Sequence, residues 1–233
     1  MSGPGRPRRP RRDVPWMPPE LADEDGLVGV GGDLSPATLL RAYSEGVFPW
    51  FNDGDPILWW SPDPRGVMEL DGLHVSRRLA RTIRGGKFRV TADQCFERVM
   101  RACGETRPEG TWVTEEMVAA YTELHRRGHA HSLEVWAGGE LVGGLYGVGV
   151  GRVFTGESMF HLASDASKVA LVDLVARLAE AGGQLVDVQM VTPHLASLGA
   201  RDLPRADFLD LLARVRDDPV RLAPDRLPVA RLA

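Results

Sequence analysis

Near the C-terminal end of the chain a strand, a long helix and a second strand follow one another: "VFTGESM", a helical stretch from an Asp165 cap to Gly182, and "QLVDVQM". A helix of that length cannot close a hairpin, so it crosses over between two strands. Ahead of it, "HSLEVWA", "ELVGGLYGVGV" and "VFTGESM" are joined by turns at Gly138-Gly139 and Gly151-Arg152, the pattern of an antiparallel meander. The spacing therefore predicts an α+β unit with strands, a crossover helix and another strand in that order. No internal repeat is visible.

The rest of the chain divides by its punctuation. "LSPATLLRAYSEG" reads as a short helix with Ser35 as N-cap, Pro36 at the first helical position and Gly46 at its stop. Pro56, Pro62 and Pro64 then break regular structure, which sets off residues 13–62 as a small N-terminal domain from residues 63–233. "HVSRRLARTIRGG" predicts a helix from a Ser76 cap to Gly85, with Arg77, Arg78, Arg81 and Arg84 forming a cationic stripe opposite Leu79 and Ile83. Apolar spacing predicts a helix from Asp93 to Cys103, and another from a Thr114 cap to Gly128 with Met117, Tyr121 and Leu124 inward. Residues 1–12, with five arginines among Pro and Gly, predict a disordered basic tail.

Composition excludes some classes. With 43% hydrophobic residues among 233, the chain can bury a proper core, and a net charge of -4 argues against coating nucleic acid by overall charge. Cys95 and Cys103 fall about 12 Å apart on one helix, too far for a disulfide. Free thiols, and no apolar run long enough for a signal core or a membrane span, predict a cytoplasmic protein. His125, His129 and His131 are close in sequence but lack a completing ligand, so no metal is expected.

Three stretches draw chemical attention. The period of two along "QLVDVQM" puts Leu185, Asp187 and Gln189 on one face and Val186, Val188 and Met190 on the other. An edge strand with one face in water explains such polar residues as simply as a site does. In "TGESMF", Glu157 is the one charge, beside a Gly156 that permits close approach. "GVFPWFNDGDPILWWSPDPR" crowds Phe48, Trp50, Phe51, Trp59 and Trp60 into a loop-rich run. Such a loop suits an unstacked base, since stacking contributes roughly 1–3 kcal/mol per base. Trp59 and Trp60 point oppositely in an extended segment, which assigns at least one of them to core.

Taken together, "GGDLSP", "GVFPWF", "PILWWSPDPR", "LHVSR", "GTWVT", "AYTELH", "GHAHSLEVW", "LVGGLYGV", "GESMF", "ASK", "VDVQ" and "HLASLGA" resemble the bacterial leucyl/phenylalanyl-tRNA–protein transferases, in order from about Leu21 to Pro204. The resemblance implies a GCN5-related acetyltransferase-like (GNAT) second domain. It implies transfer of leucine, phenylalanine and to a lesser degree methionine from aminoacyl-tRNA to proteins beginning with Arg or Lys, marking them for degradation. The partners are then Leu-tRNA, Phe-tRNA and those proteins, with no cofactor, no membrane and a monomeric enzyme.

Carried over by matching words, Asp187 and Gln189 of "VDVQ" become a catalytic pair and Glu157 an active-site glutamate. Trp50 and Trp112 match aromatics around the terminal adenosine and aminoacyl group, while Tyr43 and Tyr121 match further positions around the cleft. Leu145, Val186 and Thr192 are assigned to substrate binding, and Arg77, Arg78, Arg81 and Arg84 to acceptor-stem phosphates. The chain departs from the family pattern at Val188, often Cys, and at His161 and Leu162, where many members have Ser and Arg. Two alternatives stay open: an acetyl-CoA-dependent N-acyltransferase, although the turn "ESMFHLASDASK" lacks a pyrophosphate-binding glycine pattern, and a noncatalytic tRNA-binding module.

Overall fold

The computed structural model describes residues 14–106, 113–222 and 229–232; the basic tail and Trp112 lie outside them. In chain order come β1 (Leu27–Val30), α1 (Pro36–Ser44), β2 (Phe48–Pro49) and β3 (Leu58–Trp60), then β4 (Arg65–Glu69), α2 (Arg77–Arg84), β5 (Arg89–Ala92), α3 (Phe96–Glu105) and α4 (Glu115–Arg126). The meander β6 (Ala130–Ala137), β7 (Glu140–Val150) and β8 (Val153–His161) follows, and α5 (Ala166–Glu180) crosses to β9 (Leu185–Gln189). The chain then runs through α6 (Pro193–Ala196), β10 (Arg201–Leu203) and α7 (Arg205–Val215).

The first strands form a small sheet in the order β1-β3-β2, and the others a seven-stranded sheet in the order β10-β4-β9-β8-β7-β6-β5. Its β8 and β9 run parallel, as the crossover helix requires. The chain is thus a mixed α/β structure, with a small N-terminal unit beside a large sheet.

Capping fixes where the helices begin. Ser35, Ser76, Thr114 and Thr192 each accept a hydrogen bond from the amide three residues on, worth about 1 kcal/mol apiece. Asp165 stands at the N-cap position of α5 but caps no amide. Its backbone is left-handed, at φ 68°, and its carboxylate turns to Arg78 at 3.0 Å and Lys168 at 3.2 Å. The helix expected from Asp93 starts at Phe96 instead, because Asp93 is also left-handed, at φ 60°, and accepts the Ser132 amide across the sheet.

Each face of the large sheet carries its own core. On one side α2 and α5 press Leu79, Ile83, Val169 and Leu178 against Phe154 and Val186. On the other, α3, α4, α7 and the N-terminal unit bring Leu39, Trp59, Met100, Tyr121 and Phe208 into one cluster. Trp59 is fully buried, packs against Trp16 at 4.7 Å and donates its indole N–H to the Gly31 carbonyl; its adjacent Trp60 turns the other way, half-buried, and donates to the Trp50 carbonyl. Burying a side chain of this size contributes about 3 kcal/mol. Cys103 is buried and Cys95 half-buried, and no disulfide joins them. No helix among the described residues is long and apolar enough to cross a membrane.

Candidate active site

Strands β8 and β9 pair only from Val153 to Thr155 against Leu185 to Asp187, and beyond that rung no pairing joins them. Two irregularities mark the same level. Ser158 faces Tyr146 and Gly156 faces Gly147, which leaves Glu157 as an extra residue bulged out of β8. On β9, Gly66 of β4 faces Gln189 while Val67 faces Asp187, so Val188 is bulged too. Gln189 then takes the left-handed conformation, at φ 65°, uncommon for a residue with a Cβ. Gly66 permits this close passage, since a Cβ there would stand 2.7 Å from the Met190 carbonyl carbon.

Asp187 is wholly buried and surrounded by donors. Arg65, at the start of β4, gives it two parallel bonds, Nε to Oδ1 at 2.8 Å and Nη2 to Oδ2 at 2.7 Å. Thr155 Oγ1 donates to Oδ2 at 3.1 Å and the Gln189 amide to Oδ1 at 2.9 Å. The third arm of Arg65 reaches the Gly46 carbonyl at 3.0 Å, and its guanidinium lies over Phe48 at 4.9 Å and Phe208 at 4.6 Å.

Glu157 lies where the two strands have parted. Gln189 Nε2 donates to its Oε1 at 3.0 Å, spanning the gap, and Tyr121 donates to Oε2 at 3.4 Å. Tyr43 bonds both to Tyr121 and to the same carboxyl, so two buried phenols back it. Burial pushes the Glu157 carboxyl up to about 8; the Tyr43 hydroxyl pulls against that rise, the Asp187 charge adds to it, and Arg65 and Tyr121 oppose it. The carboxyl therefore carries its proton at neutral pH. Burial first, then the charge of Glu157, raises both phenols well above their ordinary range.

In front of this polar group a cavity of about 330 Å³ opens between the large sheet and the N-terminal unit. Its apolar wall is Leu145, Met159, Leu171, Leu174, Val186 and Val188; its polar end is Glu157, Gln189, Thr192 and His194; and Phe48, Pro49 and Trp50 form its far side. Trp50, 43% exposed, tilts against Trp60 at 6.1 Å and presents indole surface to solvent at the cavity. A Cβ on Gly156 would meet only the Asp187 carbonyl oxygen, at 3.8 Å, so this glycine keeps space open toward the cavity it lines.

The residues singled out from sequence fall into three places. Glu157, Gln189, Trp50, Leu145, Val186 and Thr192 line the cavity. Asp187, Tyr43 and Tyr121 are buried behind it and act on it through other side chains. The alternation that grouped Asp187 with Gln189 did not foresee the bulge at Val188, which lets Gln189 reach Glu157 while Asp187 holds its amide. Arg77, Arg78, Arg81 and Arg84 are exposed on α2 and do not line the cavity, and Arg78 is already paired with Asp165. Among the described residues no cluster of His, Cys, Asp and Glu is placed to hold a metal; His131 and His125 both turn to Asp93, at 2.7 and 3.7 Å. Sequence reasoning passed over Arg65. The available signal was an arginine opening the apolar strand "RGVM", a charge that needs a buried partner.

Models of two consecutive domains match this sequence: the leucyl/phenylalanyl-tRNA protein transferase N-terminal domain over residues 32–63 and leucyl/phenylalanyl-tRNA protein transferase over residues 67–213. The chain belongs to that family. A leucyl/phenylalanyl-tRNA–protein transferase of Anaeromyxobacter sp. (strain K) is 57% identical over 211 residues, covering 89% of this chain and 91% of the relative. Proteins of the same name from Nitratidesulfovibrio vulgaris (strain DP4) and Chromohalobacter salexigens are 55% and 53% identical, each over 89% of this chain and over 90% and 86% of their own lengths. A functionally unknown conserved protein from Staphylococcus epidermidis ATCC 12228 superposes with a TM-score of 0.43 at 10% identity, over 76% of this chain and 68% of that chain, a likeness too loose to bear on function.

Proposed function

We propose that this member of the leucyl/phenylalanyl-tRNA protein transferase family transfers a leucyl or phenylalanyl group, and less readily a methionyl group, from tRNA to the α-amine of proteins that begin with Arg or Lys. It is an aminoacyltransferase with aminoacyl-tRNA as co-substrate and no cofactor, and it works in the cytoplasm. The observation that carries the reading is the Gln189–Glu157 pair at the polar end of an apolar cavity, with Trp50 at its edge. We read the large sheet with its crossover helix as a GNAT-like domain, the cavity lying where the parallel strands part.

The chemistry needs no enzyme nucleophile, because an aminoacyl ester is already activated. The free α-amine, with a pKa of about 7.7–8.0, is present in quantity at neutral pH. It attacks the ester carbonyl, a C–N bond forms, the C–O bond to the terminal ribose breaks, and the amine proton ends on the departing ribose oxygen. Positioning supplies most of the acceleration. The Gln189 amide nitrogen is committed to Glu157, so its oxygen is the acceptor for the attacking N–H. Asp187 holds Gln189 through the backbone amide rather than through its side chain. Glu157, neutral until about pH 8, fixes that amide and takes on charge when a cationic N-terminal residue draws near.

The apolar wall receives the aminoacyl side chain and disfavours β-branched residues, which are stiff at χ1. Trp50 and Trp112 serve the terminal adenosine and the aminoacyl group, and the arginines of α2 bind acceptor-stem phosphates with a salt slope of roughly -2 to -4. Mass spectrometry of peptides incubated with Leu-tRNA or Phe-tRNA tests the reading. A leucyl or phenylalanyl mass on an Arg-initiated peptide and none on an Ala-initiated one is expected, with Gln189→Ala slower by roughly 10²–10³-fold. An acetyl adduct from acetyl-CoA, or tRNA binding without transfer, would replace this function with another.

A further inference from the structure

A buried ion pair is weak support for stability, since well-packed apolar residues often replace one without loss. Arg65 and Asp187 are each 1% exposed at the side chain, and their arrangement is more specific than stability needs. The guanidinium uses Nε and Nη2 on the carboxylate and Nη1 on the Gly46 carbonyl, while the rings of Phe48 and Phe208 hold it. It therefore joins β9, the turn between α1 and β2, and α7. Each oxygen of Asp187 also takes a second donor, the Gln189 amide on one and Thr155 on the other, so the carboxylate is fixed against rotation.

The two sides of the cavity depend on this arginine unequally. Phe48 and Pro49 pair with Trp60 and Trp59 of β3, so the Trp50 side keeps its place without help. Gln189 ends its strand in a left-handed conformation, a strained state that persists only where its surroundings over-determine it. Resting on the transferase reading above, we infer that Arg65 is a positioning residue for the transfer step: anchored on the N-terminal unit and α7, it orients Asp187 and through it the backbone turn that aims the Gln189 side chain into the cavity. Lysine cannot substitute, because one ammonium lacks the planar fork that meets both carboxylate oxygens and the Gly46 carbonyl at once.

The test is steady-state transfer of Phe from Phe-tRNA to an Arg-initiated peptide by the full chain, its Arg65→Lys variant and the Arg65→Gln/Asp187→Asn double variant, which leaves no uncompensated buried charge. Folded fraction is fixed for each by circular dichroism and cooperative unfolding. Misplacing a reacting group by about 1 Å costs roughly 100-fold, so kcat is expected to fall by about that factor while KM for Phe-tRNA stays within about threefold. A kcat per folded molecule within about threefold of the native chain, or kcat and KM degraded together, would overturn the assignment and leave Arg65 a packing residue. A native chain that transfers nothing would instead count against the transferase reading.

Discussion

Asp187 and Glu157 are both carboxylic acids buried on adjoining strands, yet their surroundings give them opposite tasks. Asp187 receives two bonds from a guanidinium, one from a hydroxyl and one from a backbone amide. Glu157 receives an amide and two phenols, with no cation bonded to it among the described residues, and burial carries it up to about 8. A buried carboxyl with a bound cation becomes a fixed part of the frame; one backed by neutral donors keeps a proton that it releases near pH 8. Environment, rather than residue type, separates placement from proton handling here.

The largest effect should come from breaking the paired member. Asp187→Ala leaves the Arg65 guanidinium buried without its carboxylate and should destabilise the chain by about 3–5 kcal/mol in urea unfolding. A loss under about 1 kcal/mol would show that Asp187 is no better tied than Glu157.

Breaking the other member should have the opposite sign. In the unfolded chain the Glu157 carboxyl releases its proton near its ordinary value of 4.5, and in the folded chain near about 8. Below pH 4.5 both states hold the proton and the native chain has its full stability; as pH rises from 4.5 to about 8 only the folded state keeps it, and stability is progressively lost. Glu157→Gln should flatten that decline and leave the variant the more stable of the two above pH 8. Parallel urea denaturation curves from pH 4 to pH 9 would show it, and identical pH slopes would remove the contrast.

The smallest effect sharpens the comparison. Tyr121 hydrogen-bonds the Glu157 carboxylate and holds its pKa down against burial, so Tyr121→Phe should move the Glu157 titration upward. A downward shift in NMR-monitored titration would mean that the phenol stabilises the protonated form instead.

Much of this frame is legible in the chain before any coordinates. Ser35, Ser76 and Thr114 announce their helices, Gly138-Gly139 and Gly151-Arg152 announce the turns of the meander, and the run from Asp165 to Gly182 announces the crossover, because these signals act within a few residues. The site was legible through its words rather than its spacing. Strict alternation along "LVDVQ" hides the bulge at Val188, and nothing local reveals that Glu157 is bulged against Tyr146 and Gly147. The partnership of Arg65 with Asp187 joins residues 122 apart, and only the sheet order that places β4 beside β9 brings them together. Asp165 misled for a related reason: its side chain suits a cap, but the charges of Arg78 and Lys168 offer it stronger bonds than a backbone amide does.

The division of labour between the two acids is tested most directly by carbon-13 NMR titration of glutamate carboxyl carbons in the native chain, with the Glu157 signal assigned by its loss in Glu157→Gln. One glutamate resonance titrating near pH 8, still protonated at pH 7, is the predicted result. A Glu157 signal that titrates between pH 4 and 5 would contradict it, and would make Glu157 a permanently charged residue of the cavity.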